Sequence, residues 1–421
     1  MGARVTSQVI ESCQPGGPRS DEDPPDMGLS RVIGQEEIGN PWGAQVIATT
    51  RRLVPSDSSR FGHNNFDAIR LTMALLVVFS HSYALRFGSE DREPMSIATN
   101  GFYNSGEIGV WVFFIISGFL IAHSYERSAS NRAFMIKRVR RIYPGYLAAT
   151  TICAFAITPL FAPGFTIGIG EVVRTIVGNL VLANRFPLPT LFADNPIPAI
   201  NGSLWSIKYE FLCYLGVLML GILALPARRL TALLVYAAIV VAWCWLDLSG
   251  RKPGGPELLR AAIGWPYLWF QILPNFLAGM IAYLYRDSIP RSTLLLGTGV
   301  IACFTAFHFG GRGAIGIVAA HLLAPPVLAY LMLWCAFHPA IALSGAARYG
   351  DFSYGTYLYA FVIQQMLVAT LDLSFPLFVL LSLILALSAG VASWWVVERH
   401  FLRHGAPARH LAAKERAPAH L

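Results

Sequence analysis

Apolar segments about twenty residues long recur along most of this chain, and their repetition restricts the fold more than any other feature. A stretch of roughly 20 apolar residues is long enough for a helix to cross a bilayer. The sequence therefore predicts an all-α integral membrane bundle of about ten transmembrane helices. The segments lie near residues 66–87, 107–125, 142–162, 203–224, 229–247, 264–285, 292–309, 315–337, 352–372 and 375–397.

The composition agrees with a membrane protein. Of the 421 residues, 55% are hydrophobic and 13% are charged, which is too little polar surface for a soluble protein of this length. The formal net charge of +8 is compatible with nucleic-acid binding, but most basic residues lie beside apolar segments, where they report topology. We therefore expect contact with membrane lipid and no nucleic-acid partner.

Polar tails flank the apolar region. Residues 1–60 are rich in proline, glycine and acidic residues and lack the apolar core of a signal peptide. We interpret them as a disordered cytoplasmic tail, and residues 401–421 as a basic cytoplasmic tail. Residues 61–400 then form one transmembrane domain.

Basic residues also predict the orientation. The connection between the second and third segments carries six cations within "ERSASNRAFMIKRVRRIYP", so it should be cytoplasmic, and both termini should then be cytoplasmic too. The connection 163–202 becomes extracytoplasmic. Its part "FPLPTLFADNPIPAINGS" is too rich in proline and asparagine for a regular element, so we expect a loop that serves as a lid or substrate surface. We expect Pro274, Pro325 and Pro326 to kink or break their helices.

Arg70 and His81 are the first candidates for chemistry, within "RLTMALLVVFSHSYAL". They are eleven positions apart, so they share one helical face and are separated by about 16 Å along the axis. Ala74 and Val77 lie between them and should leave a smooth groove. An imidazole can accept a proton near neutral pH, and an arginine can hold a phosphate. Alternatively, Arg70 contacts lipid headgroups and His81 packs in a polar spot.

A polar stripe opens the fourth segment, "NGSLWSIKYEFLCYL". Ser203, Ser206, Glu210 and Tyr214 recur at spacings of three and four and therefore share one helical face. A carboxylate inside a membrane bundle is costly unless it is paired, protonated or used, so Glu210 is a functional candidate. The structural alternative is a buried hydrogen bond that joins two helices.

Lys137, Arg138, Arg140 and Arg141 form a compact basic cluster. Such a cluster anchors a protein to anionic lipid, and it can also hold a polyphosphate ligand that approaches from the cytoplasm. The chain lacks Walker, GxSxG and HExxH motifs in a convincing context, which argues against nucleotide hydrolysis, serine hydrolysis and zinc proteolysis. The six cysteines are scattered without metal-ligand spacing, so we expect no metal site.

Taken together, these stretches resemble the acyltransferase 3 family over residues 64–400. Arg70 and His81 match its first-helix signature, and Glu210 matches a glutamate that follows its Trp-Ser pair. Tyr354 and Gln364 lie in a stretch similar to its late Ser-Tyr-Gly motif, and Ala360 stands where many relatives carry histidine. The other matching stretches are "GVWVFFIISGFLI", "FMIKRVRRIYPGY" and "NGSLWSIKYEFLCY".

The resemblance implies a bacterial inner-membrane enzyme. It would move an acyl group, usually acetyl, from cytoplasmic acyl-CoA to a hydroxyl of an extracytoplasmic glycan such as exopolysaccharide. Acetyl-CoA would be a donor substrate, with no permanently bound cofactor. The fourth-segment motif would supply the residues that bind substrate: Asn201, Ser203, Trp205, Ser206 and Tyr214.

A mechanism fits this resemblance. His81 would be the general base for the acceptor hydroxyl, and Glu210 would orient the imidazole, which assumes that the first and fourth helices meet. Arg70 and the basic cluster would bind the donor phosphates, and the pantetheine arm would follow the groove toward His81. The alternative is a transporter or flippase for a glycan or small anion, although the chain shows no internal repeat.

Overall fold

The computed structural model describes residues 52–55, 64–222, 228–341, 343–346 and 348–402, all within one compact unit of residues 50–421. Most of the two predicted tails lies outside these residues. Within the described ranges the regular structure is helical, without strands. The principal helices are α1 (Phe66–Phe87), α2 (Ser105–Glu126), α3 (Asn131–Ile152), α4 (Ile169–Leu180), α5 (Trp205–Ile222), α6 (Arg228–Leu248), α7 (Pro266–Leu284), α8 (Thr293–Phe309), α9 (Ala314–Ala336), α10 (Ser353–Thr370) and α11 (Phe375–Ser393).

The all-α membrane bundle predicted from the sequence is confirmed. Eight helical stretches among the described residues are long and apolar enough to cross a membrane. Helices α8 and α10 account for the other two predicted segments. Helix α8 is a shorter apolar helix, and α10 carries tyrosines, hydroxyls and two glutamines that lower its hydropathy.

Helix α2 lies at the centre of the bundle and packs against α7 through two glycines. A Cβ atom on Gly118 would lie 1.9 Å from the carbonyl oxygen of Phe276, and one on Gly279 would lie 2.0 Å from that of Ile115. No side chain fits at such distances, so the two backbones are in direct contact. Small residues allow this close approach between membrane helices.

Helix α1 packs against α2, α10 and α11. It runs antiparallel to α2, since Val77 faces Gly109 and Ser80 faces Gly106. It runs parallel to α10, because Arg70 at its start lies beside the residues that precede α10. We call the end of the bundle that holds Arg70 the basic end, and the other the opposite end.

Two local predictions were wrong in part. The connection 163–202 contains a helix, α4, which runs back along α3: the Tyr143 hydroxyl donates to the carbonyl of Leu180 at 3.1 Å. Its sequence IGEVVRTIVGNL has helical periodicity, which the prolines farther along had obscured. Residues 186–201 contain only turns and irregular structure, as expected. Helices α7 and α9 also continue unbroken through Pro274 and through Pro325 and Pro326, so the predicted break is wrong, and a kink at these prolines stays a prediction.

Candidate active site

A cavity of about 450 Å³ opens at the basic end between α1, α2, α3, α5 and α10. It is the place where the five predicted donor-binding residues meet. Its polar lining includes Arg70, Lys137, Arg138, Arg140, Arg141, Ser206, Glu210, Tyr214 and Asp351. Its apolar lining comes mainly from α2 and α10, so the space suits a ligand with a charged end and an uncharged arm.

Asp351 joins two of the predicted cations. Arg141 Nη2 donates to Asp351 Oδ2 at 2.6 Å, and Arg70 Nη1 lies 3.9 Å from the same oxygen. Burial alone would raise the pKa of Asp351, but the charges of Arg141 and then Arg70 prevail and lower it to about 2. The Ser353 hydroxyl donates to the other carboxylate oxygen at 2.5 Å. The sequence patterns gave no role to Asp351.

The other three cations have no carboxylate partner among the described residues. Lys137 and Arg140 are exposed at the mouth of the cavity. Arg138 is half-buried, with its guanidinium carbon 5.8 Å from the ring centroid of Tyr214. Its Nη2 atom donates to the Ser124 hydroxyl at 3.3 Å, and its Nε atom is buried without a hydrogen-bond partner among the residues that the structure describes. These three side chains are therefore available to an anionic ligand.

Glu210 lies in the wall of this cavity. Its Oε1 atom accepts a hydrogen bond of 2.7 Å from the hydroxyl of Ser117, and another from the hydroxyl of Tyr214. One helical turn toward the opposite end, the hydroxyls of Ser206 and Tyr357 are hydrogen-bonded at 2.7 Å and join α5 to α10. The predicted polar stripe on α5 therefore faces the cavity from Ser206 to Tyr214.

His81 does not line the cavity. It packs edge-on against Phe361, with ring centroids 5.2 Å apart and an interplanar angle of 83°. Phe361 is one turn of α10 beyond Tyr357, the last residue of that helix on the cavity wall, which places the His81 layer about 6 Å farther from the basic end. The Nδ1 atom of His81 is buried without a hydrogen-bond partner in the described part of the chain.

The structure does not bring His81 and Glu210 together. Glu210 is bonded to Ser117 and Tyr214, and α1 does not pack against α5 to any extent. The expected groove between Arg70 and His81 is also filled. Ala74 and Val77 are 0% and 1% exposed, and Gly109 of α2 packs directly against Val77. A long ligand must therefore follow the cavity between α2, α5 and α10.

Two adjacent glutamines of α10 make hydrogen bonds near His81, one to α1 and the other to the connection 163–202. Gln364 Nε2 donates to the carbonyl of Val78 and to the hydroxyl of Ser82, both at 2.9 Å, and so holds the turn of α1 that carries His81. Gln365 Nε2 donates to the carbonyls of Ile197 and Ala199 in the connection 163–202. Adjacent glutamines in an apolar helix are the sequence signal for these contacts.

The remaining predicted substrate-binding residues lie outside the cavity lining. Asn201 is buried and donates to the carbonyl of Leu358 at 2.8 Å, which fixes the start of α5 against α10. Ser203 is fully buried, and its hydroxyl has no hydrogen-bond partner within the described ranges. Trp205 is half-buried with its ring 5.6 Å from that of Tyr209. A role for these three in substrate binding stays a prediction.

Another polar group lies apart from the cavity. Asp247 Oδ2 is 2.8 Å from His321 Nε2, and Asp247 Oδ1 accepts a hydrogen bond of 2.5 Å from Tyr267. The indole of Trp243 stacks on the His321 ring at 3.7 Å. These contacts join α6, α7 and α9. No group of three or more possible metal ligands occurs among the described residues.

Comparisons with known proteins agree on one family. A family model described as an acyltransferase domain matches residues 63–395. An O-acetyl transferase of Shigella phage Sf6 is 29% identical over 348 residues, which cover 82% of this chain and 97% of that protein. Nodulation protein 10 of Rhizobium leguminosarum bv. viciae is 28% identical over 75% of this chain and 87% of its own. The exopolysaccharide production protein ExoZ of Rhizobium meliloti is 27% identical over 73% and 93% respectively. No solved structure matches the chain significantly.

Proposed function

Because the chain belongs to the acyltransferase 3 family and is an O-acyltransferase, we propose that it moves acetyl from cytoplasmic acetyl-CoA to a hydroxyl of an extracytoplasmic glycan. The relative named O-acetyl transferase supports acetyl as the group moved. The relative named for exopolysaccharide production supports an exopolysaccharide acceptor. The protein is a multi-pass membrane protein, and we place it in the bacterial inner membrane with both termini cytoplasmic.

The observation that carries this proposal is the cavity at the basic end. Five cations among the described residues line it. Arg141 is paired with Asp351, and Arg70 is paired with Asp67 and lies 3.9 Å from Asp351. Lys137, Arg138 and Arg140 have no carboxylate partner among the described residues and can bind the donor phosphates by charge-assisted hydrogen bonds. The apolar walls beyond them can receive the pantetheine arm, and the thioester then points toward His81. No resident cofactor is needed.

The chemistry assigned to His81 is general-base catalysis. A hydroxyl is a weak nucleophile at neutral pH, so it must lose its proton as it attacks the thioester carbonyl. His81 takes that proton, the new C–O bond forms, and the C–S bond breaks with release of the coenzyme thiolate, which recovers a proton. We keep Glu210 as a functional residue but assign it to the donor cavity, where it orders Ser117 and Tyr214.

Membranes that contain the protein, incubated with acetyl-labelled acetyl-CoA and candidate glycans, provide the test. We expect label on a glycan hydroxyl by mass spectrometry, and loss of at least 100-fold in rate for His81→Gln. The exposed His308 supplies a matched control, and His308→Gln should retain the rate. Transfer by His81→Gln at the normal rate would refute the base assignment. Movement of a solute while acetyl-CoA stays intact would favour the transporter alternative.

A further inference from the structure

The donor cavity stops one layer short of His81. On α5 and α10 its farthest lining residues are Ser206 and Tyr357, whose hydroxyls are bonded to each other at 2.7 Å. This hydrogen bond crosses from one helix to the other and forms the roof of the cavity. A thioester bound from the basic end therefore meets the roof before it meets the imidazole.

Phe361 is the side chain in the layer beyond the roof that contacts His81 directly. Its ring packs edge-on against His81 at a centroid distance of 5.2 Å. On its other side it reaches Gly202, where a Cβ atom would lie 2.6 Å from Phe361 Cε2 and 2.7 Å from Cζ. Real Cβ atoms do not approach a ring so closely, so the absence of a side chain at position 202 is what admits the phenyl ring. Phe361 itself is 5% exposed.

From this arrangement we propose that Phe361 determines acyl-chain length: it restricts the passage between the donor cavity and His81 to short acyl groups. The inference rests on the proposed function and deepens it. The Ser206–Tyr357 hydrogen bond must open, and the phenyl ring must turn aside, for the carbonyl carbon to come within reach of a hydroxyl held by His81. The space released is no larger than one ring, which suits a two-carbon group and rejects a longer chain.

The same ring separates the thioester from water on the opposite side. The productive step transfers the hydroxyl proton to His81, forms the ester C–O bond and expels the coenzyme thiolate. Water admitted through the same passage would undergo the same step and give free carboxylic acid. A smaller residue at position 361 should therefore increase hydrolysis as well as tolerance of longer donors.

The first test compares Phe361→Leu with the natural protein, using acetyl-CoA and hexanoyl-CoA with membranes that contain the acceptor glycan. We expect the hexanoyl-to-acetyl rate ratio to rise by about tenfold or more, since even one methylene is commonly discriminated by that factor. Free acid should rise alongside it. Phe378→Leu is the matched control, because Phe378 is equally buried in the same apolar cluster but lies on α11, outside the passage. The hexanoyl-to-acetyl rate ratio of Phe378→Leu should equal that of the natural protein.

The second test uses the glycine. Gly202→Ala should press a methyl group against the ring and slow acetyl transfer, and combining it with Phe361→Leu should restore the rate because the leucine leaves space for the methyl group. Non-additivity of this kind is the sign of a direct contact. An expression and thermal-unfolding assay of each variant identifies any that fail to fold, and Phe361→Met then replaces Phe361→Leu as the milder reduction.

The outcomes separate the two proposals. If the natural protein transfers acetyl but folded position-361 variants keep its hexanoyl-to-acetyl ratio, the role of Phe361 is wrong and the proposed function stands. If the natural protein transfers neither acyl group from coenzyme A, the proposed function fails and the inference fails with it. A raised ratio in the variant and an unchanged ratio in Phe378→Leu establish Phe361 as the residue that selects acyl length.

Discussion

Asp351 and Arg141 form a 2.6 Å ion pair at the edge of the donor cavity, with Arg70 3.9 Å from the same carboxylate oxygen. One carboxylate therefore holds guanidinium groups from α1 and α3 at a fixed separation. The side chain of Asp351 is 12% exposed, so solvent screens this network only weakly. Its contribution is structural as well as electrostatic, because loss of the carboxylate removes the partner of Arg141 and leaves that guanidinium facing Arg70, which stays paired with Asp67 at 3.2 Å.

Asp351→Asn should lower the free energy of unfolding by about 2–3 kcal/mol at neutral pH. The folded pKa of Asp351, about 2, lies below its ordinary value of 3.8, so the ion pair contributes fully above that ordinary value. The stabilisation by this ion pair decreases as the pH falls from about 4 to 2, and it is lost at a pH below both the folded and the ordinary pKa of Asp351. Thermal unfolding of both proteins in detergent over this pH range measures the difference in the free energy of unfolding.

Asp372→Asn is the control. Asp372 pairs with Arg86 but is 96% exposed, so this substitution should change the free energy of unfolding little. Equal effects of the two variants would contradict the prediction.

Lys137 and Arg140 should carry much of the donor affinity. Both are exposed at the mouth of the cavity and have no carboxylate partner among the described residues, so a phosphate can use their full charge. Lys137→Ala together with Arg140→Ala should raise KM for acetyl-CoA by about 10- to 100-fold and leave kcat nearly unchanged. Initial rates against acetyl-CoA concentration, at low and high salt, measure this. Arg251→Ala, at an exposed cation remote from the cavity, should alter neither constant. If kcat falls and KM for acetyl-CoA stays unchanged, Lys137 and Arg140 do not contribute to donor binding.

Asp247 and His321 should stabilise the bundle without serving the reaction. Their 2.8 Å contact joins α6 to α9 and lies outside the cavity lining. Asp247→Ala leaves a buried imidazole without its partner, so we expect a loss of about 3 kcal/mol in stability with an unchanged KM for acetyl-CoA. Unfolding can be followed by tryptophan fluorescence, because Trp243 stacks on His321. Asp287→Ala, which removes an exposed partner of Arg52, serves as the comparison. Full stability of Asp247→Ala would show that the pair is dispensable.

The sequence predicted the helices and the gathering of cations because both depend on local patterns. Apolar length identifies a spanning helix, and spacings of three and four place Ser206, Glu210 and Tyr214 on one face. The contacts between helices, in contrast, depend on packing between residues that are far apart in the sequence. Gly109 allows α2 to pack against Val77 of α1, and both Ala74 and Val77 are buried where the groove was expected. The partners of Glu210 likewise come from α2 and from its own helix, which spacing along α1 cannot reveal.

Gln364 should position His81 for catalysis. Its amide donates to the carbonyl of Val78 and the hydroxyl of Ser82, on either side of the histidine along α1. Gln364→Leu keeps the volume but removes both hydrogen bonds, so this turn gains freedom relative to α10. Misplacement of a catalytic group by about 1 Å can cost 100-fold in rate, and we expect kcat to fall by about that factor. KM for acetyl-CoA should hold, because the donor phosphates bind at the distant basic end.

A merely structural role for Gln364 can be distinguished from positioning. The pH dependence of kcat reports the ionisation of the base, and it should shift when the surroundings of His81 loosen, whereas general destabilisation would lower the amount of active protein without moving the profile. Gln365→Leu is the matched control, since Gln365 contacts residues 197 and 199 instead of α1. That variant should act on KM for the glycan and leave the pH profile in place. If Gln364→Leu retains both kcat and its pH profile, the turn of α1 is held by packing alone and Gln364 does not position the imidazole.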